Sequence, residues 1–136
     1  MRSSLHRYRW PLLCTAVLVS ALTAGAVVVW KDQQQSHSVA ITMAGGDPAR
    51  APDIIRRYGC AGCHTIPGIP GGDGKVGGAL SNLKGRVYVG GVATNTAENL
   101  IAWIVSPQTF SPRSAMPATG ISEAEARDVA TYLYAQ

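Results

Sequence analysis

The first long pattern along the chain is an unbroken apolar run. From Trp10 to Trp30 it reads WPLLCTAVLVSALTAGAVVVW, 21 positions with no charged side chain. At 1.5 Å per residue a helix of that length spans roughly 30 Å, the hydrocarbon thickness of a bilayer. Trp10 and Trp30 stand at its two ends, where amphipathic aromatic rings favour the membrane–water interface. The run predicts a transmembrane helix over 10–30, with Cys14 inside it as a small hydrophobe.

Beyond Trp30 the pattern changes character. Residues 31–46, KDQQQSHSVAITMAGG, hold no sustained period and predict a flexible linker, which could reach roughly 50 Å when fully extended. His37 and Met43 then sit at solvated linker positions. DPARAPDIIRRYG, from Asp47, predicts a short helix: Asp47 suits its N-cap, Pro48 its first helical position and Gly59 its end. Asn99–Pro107, NLIAWIVSP, is a second helical stretch. ISEAEARDVATYLYAQ closes the chain as the clearest helix, with Ser122 and Glu125 spaced for a capping box and Val129, Tyr132 and Leu133 on one face. No strand-rich segment competes, so residues 47–136 predict an all-α domain. Gly clusters between 68 and 91 imply turns and a small core, which needs a staple such as a disulfide, a metal or a cofactor.

Charge sharpens the membrane reading. The net charge of +4 owes three units to Arg2, Arg7 and Arg9, in the flank 1–9 before the apolar run. From Lys31 onward nine Lys/Arg face eight Asp/Glu, so the main domain is nearly neutral and nucleic-acid binding is not indicated. The positive flank predicts a cytoplasmic N-terminus, with everything after Trp30 on the far side. Ala24-Gly25-Ala26 offers a competing reading as a signal-peptide cleavage site. Val27 to Trp30 continue the apolar run past it, which favours a retained anchor. Both readings export the main domain.

The candidate chemistry lies in GCAGCHTIP, Gly59 to Pro67. Three cysteines, one of them in the apolar run, cannot make a four-cysteine zinc site, and the other histidines, His6 and His37, lie in the flank and the linker. A thioredoxin-like dithiol expects a βαβ pattern, whereas a helix runs into these cysteines. Haem attachment accounts for all five residues of Cys60-Ala61-Gly62-Cys63-His64. Both thiols would reach one porphyrin, His64 would ligate iron, and the small Ala61 and Gly62 would let the backbone lie close to the ring. Met116, in the Pro-punctuated SPRSAMPATG, is a candidate for the second axial position, with ordinary core packing as the alternative that its residue type and loop setting leave open.

From residue 47 to 136 the chain resembles the monohaem class I cytochromes c. Gly77-Gly78-Ala79-Leu80-Ser81-Asn82-Leu83-Lys84-Gly85-Arg86 is similar to that family's loop after the haem motif. The resemblance implies that the carbonyl at Gly78, where the family has Pro, receives the His64 imidazole, and that Arg86 contacts a haem propionate. It implies that Trp103 belongs to the haem wall and that Phe110–Pro117 delivers Met116, 52 positions after His64. The terminal helix is then expected to cross the first, bringing Ile54, Ile55 and Tyr58 to Val129, Tyr132 and Leu133.

One covalent haem c with His64 and Met116 as axial ligands implies one-electron transfer rather than catalysis, since a saturated iron has no open position and the acids are scattered. The stretch from Arg86 to Trp103 most resembles haem c domains attached to haem–copper oxidases. The implied partners are the lipid bilayer and membrane electron-transfer complexes: a quinol:cytochrome c reductase, a terminal oxidase or a dehydrogenase. The implied location is a bacterial inner membrane, with the haem domain on the periplasmic side. A haem c subunit of a periplasmic dehydrogenase is the alternative, and a gas-binding haem sensor a further one.

Overall fold

The computed structural model describes residues 5–136, except the side chains of residues 5–9 and 11. Of the expected basic flank, residues 1–4 and the side chains of residues 5–9 therefore lie outside the described residues. Five α-helices follow in order: α1 Leu5–Ala44, α2 Ala51–Arg57, α3 Ala97–Val105, α4 Pro107–Phe110 and α5 Glu123–Tyr134. Two strands of two residues each, β1 Tyr88–Val89 and β2 Ala93–Thr94, pair antiparallel with Tyr88 opposite Thr94. That hairpin and an isolated antiparallel bridge between Thr65 and Asp73 are additions to the all-α expectation. Two-residue strands are too short to show an alternating pattern.

Packing divides the chain into two units, Met1–Gln35 and Ser36–Gln136. In α1 the stretch from Leu12 to Ala44 is long and apolar enough to cross a membrane, a property that signal sequences share. The linker expectation over 31–46 needs correction. Helix α1 runs unbroken through Ala44, and Ala40 and Ala44 are buried in the core of the second unit. Lys31 to Gln35 contain no helix breaker, and Lys and Gln are good helix formers. The buried face consists of alanines four apart, while Val39, Ile41 and Met43 stay exposed, so no hydrophobic period betrays it.

Gly45 ends this helix in the left-handed region (φ 71°), its N–H donating to Ile41 O at 2.8 Å. The chain is then tied to α5. Gly46 N donates to Thr131 Oγ1 at 3.0 Å, Asp47 N to Asp128 Oδ1 at 2.8 Å, and Arg127 Nη1 to Ala44 O at 3.2 Å. Asp128 is buried, and Arg50 Nη1 lies 3.2 Å from its Oδ2, supplying the counter-charge that a buried carboxylate requires. Asp47 does not cap α2 itself. Its side chain accepts from Ala49 N at 3.0 Å, holding a turn, and the helix proper starts at Ala51.

Helix α5 is the centre of the second unit, packed by both α2 and α3. Ser122 and Glu125 form the expected capping box. Ile54 and Ile55 of α2 and Val129 and Leu133 of α5 are all buried in the common core. Each such side chain contributes about 1.5–3 kcal/mol relative to exposure. Tyr58 and Tyr132 spend their hydroxyls elsewhere, Tyr58 on Glu125 Oε2 at 2.9 Å and Tyr132 on Pro67 O at 2.7 Å.

Candidate functional site

Helix α2 delivers the cysteine turn. Gly59 adopts φ 70°, which reverses the chain at the helix end with no Cβ penalty. The next residues coil into one tight turn, with Cys63 N and His64 N both donating to Cys60 O, at 3.2 and 3.0 Å. This local geometry puts Cys60 and Cys63 on one turn and His64 directly after it. Both cysteines are free thiols, Cys60 half-buried and Cys63 exposed. Burial pushes the Cys60 thiol above its ordinary pKa, and the nearby Cys63 adds to the shift.

The following loop folds back over this turn. Gly77 N donates to Cys63 O at 2.7 Å and Leu80 N to Thr65 O at 2.8 Å. Between these anchors, His64 Nδ1 lies 2.7 Å from Gly78 O. A neutral imidazole that donates from Nδ1 keeps Nε2 as its remaining lone pair, the form that ligates a metal. Glycine is required at close quarters here. A Cβ on Gly77 would fall within 3.0 Å of the His64 ring, and one on Gly74 would meet the backbone of Ala61, Cys63 and His64. In the sequence, nothing marks these two roles beyond the glycine density between 68 and 91.

Two adjoining cavities, of about 120 and 360 Å³, lie beside the turn. They share His64, Leu80, Leu100, Trp103 and Met116 as walls. Cys60 and Cys63 line the first, whose other walls include Ile55, Tyr58 and Leu133. Gly78 and Arg86 line the second. All seven residues singled out from the sequence therefore border these two spaces. The Met116 loop is fixed by Gln108 Nε2, which donates to Met116 O at 2.7 Å. Trp103 stacks obliquely on Phe110, with centroids 6.0 Å apart, and Gly90 presses against its outer ring edge. Arg86 donates from Nη2 to the carbonyls of Ala79 and Ser81, at 3.0 Å for the latter. Its hydrogen bonds thus stay within its own loop.

This donor set fits a covalent haem. Two thiols on one turn, an imidazole with Nδ1 committed and a thioether border a nearly continuous apolar space, and a Cβ at Gly77 would crowd the imidazole. Among the described residues no group of three or more His, Cys, Asp or Glu gathers as a separate metal site. Bound there, the haem would supply reversible one-electron chemistry, while the chain supplies anchors, ligands and an apolar wall.

The family model for cytochrome c matches residues 48–135, and the chain belongs to the cytochrome c family. Membership implies a covalent haem c and an electron-transfer role. Over 82 residues the chain is 34% identical to a cytochrome c oxidase subunit 2 of Alkalihalophilus pseudofirmus. That alignment covers 59% of this chain and 23% of the relative, so the chain spans less than a quarter of the curated protein it matches. No solved structure matches the chain.

Proposed function

We propose that this chain is a membrane-anchored one-electron carrier that serves a respiratory terminal oxidase, with haem c attached through Cys60 and Cys63 and ligated by His64 and Met116. The observation that carries the reading is that His64 and Met116, 52 positions apart, both border the cavity that Cys60 and Cys63 line, and both border the adjoining one as well. A thioether ligand favours reduced iron relative to harder donors, which gives the raised potential of a late carrier. His64 is held in one tautomer by Gly78. Arg86 and Trp103 border the space beside Met116 and serve as wall residues. The likeness to an oxidase subunit supports an oxidase over a dehydrogenase as the electron acceptor.

Residues 10–30 act as the anchor, the basic flank 1–9 stays in the cytoplasm, and the haem domain works on the periplasmic side. Anchoring confines the carrier to a thin layer beside its partners and raises their effective concentration. Purification of the full chain from membranes in mild detergent, followed by redox titration, tests the proposal. Copper and a-type haem in the same fraction, with a high-potential c-type haem, is the expected result. A dehydrogenase in the fraction instead would overturn the oxidase assignment, and ready binding of carbon monoxide by the reduced protein would overturn His/Met ligation.

A further inference from the structure

The carbonyl at Gly78 that receives His64 comes from a residue with no side chain to stiffen its loop. Backbone bonds hold the loop at Gly77 and Leu80. The next carbonyls, of Ala79 and Ser81, are taken by the Arg86 guanidinium. Arg86 itself closes the tight turn Leu83–Gly85, and that turn is gripped by one amide. Asn95 Nδ2 donates to Leu83 O at 2.7 Å and to Arg86 O at 2.8 Å. Its Oδ1 accepts from Tyr134 Oη at 2.8 Å. Asn95 N donates to Val87 O at 2.9 Å, which adds a main-chain tie to the same segment.

Both amide hydrogens and one oxygen lone pair of Asn95 are thus in use, which fixes the amide orientation. Tyr134 is 1% exposed and sits near the end of α5, the best-packed helix of the unit. The relay therefore runs from a rigid helix, through Tyr134, Asn95 and Arg86, to the loop that faces the imidazole.

We propose that Asn95 is a positioning residue for the iron ligand: locked by Tyr134, it sets the turn from which Arg86 clamps the loop, and so holds the Gly78 carbonyl on His64. The inference rests on the reading of His64 as an axial ligand. A firm Nδ1–H···O=C bond makes the imidazole a stronger donor, and loosening it weakens that donation and favours reduced iron.

The test uses the haem-loaded full chain in detergent, reduced, with the His64 Nδ1 proton followed by NMR exchange and the potential measured in parallel. In Tyr134→Phe and Asn95→Leu the exchange rate should rise roughly fivefold, as expected for one loosened hydrogen bond, and the potential should move upward. Arg127→Ala, whose hydrogen bonds go to Ala44 and Glu123, should change neither readout while also lowering stability. If Asn95→Leu fails to fold, Tyr134→Phe alone decides, because it removes one hydroxyl from an intact ring. Exchange and potential unchanged in Tyr134→Phe would overturn the relay. A wild-type His64 proton without the ring-current shift of a haem-bound imidazole would overturn the ligation reading, and this inference with it.

Discussion

Gln108 Nε2 donates to the main-chain carbonyl of Met116 at 2.7 Å, so the short helix α4 holds the loop that carries the thioether. Ser114 Oγ accepts from Met116 N at 3.2 Å and pins the other side of the residue. Loss of one such bond costs about 1 kcal/mol. Gln108→Leu should therefore raise the affinity of the ferric protein for added imidazole by roughly fivefold. Met116→Ala should do so far more strongly and should lower the reduction potential. Spectroscopic titration with imidazole checks both, and an unchanged spectrum and potential in Met116→Ala would remove the methionine from the site.

Gly77 makes a sharper prediction. Its missing side chain is the space that the His64 ring occupies. Gly77→Ala should displace the imidazole and leave most of the protein without a low-spin haem spectrum, whereas Gly91→Ala should retain it. At Gly91 a Cβ meets nothing within 4 Å, although its φ of 74° strains any side chain. The fraction of low-spin haem per polypeptide is the measurement.

The α5 capping box governs stability more than its size suggests. Glu125 Oε2 accepts from Ser122 Oγ at 2.8 Å and from Tyr58 Oη at 2.9 Å, while Oε1 takes Arg57 Nη1 at 2.7 Å. One carboxylate thereby joins the start of α5 to the end of α2. Ser122→Ala should cost about 1 kcal/mol, read as a fall in melting temperature of about 4–8 °C for a domain of this size.

The same carboxylate sets an acid limb. Hydrogen bonds from Ser122 and then Tyr58 hold the Glu125 pKa below its ordinary 4.5. The ionised form is the one the fold favours, so its contribution is complete above about pH 4.5. It is lost as pH falls through the lowered value. Its partner Tyr58 is raised above 10.0, chiefly by the hydrogen bond to Glu125, so its contribution holds below pH 10.0 and fades above the raised value. Thermal unfolding across pH should show Glu125→Gln less stable than wild type at neutrality but with a flatter acid limb. An acid limb of unchanged slope would assign the loss to other carboxylates.

Docking should depend little on salt. From Lys31 onward basic and acidic residues nearly balance, and Val76, Val87, Tyr88 and Val92 are exposed apolar side chains. Electron-transfer rates with an isolated oxidase should change by less than about threefold between 50 and 200 mM salt, because weak net charge gives weak screening effects. A collapse over that range would point to a charged docking site.

What the sequence made legible was local or carried by rare residues. Five consecutive positions announce the cysteine turn, and the partners of the capping box stand only three positions apart. Met116 stands out because so few methionines compete with it. The helix over 36–44 was hidden because alanines form its buried face and valine, isoleucine and methionine its exposed one. Asn95 and Tyr134 were hidden for another reason: their bond joins residues 39 positions apart, and neither residue type marks its partner. Gly74 and Gly77 act by what they lack, which a composition count records only as abundance.

The His64–Gly78 contact is invisible to side-chain genetics. The acceptor is a peptide oxygen, so every amino acid at position 78 carries it, and a saturation scan there would report tolerance at the point on which the imidazole depends. Chemistry that edits the backbone could expose it. Lactic acid in place of Ala79 turns the acceptor into an ester carbonyl, a poorer acceptor, and should register at the iron with every other side chain intact.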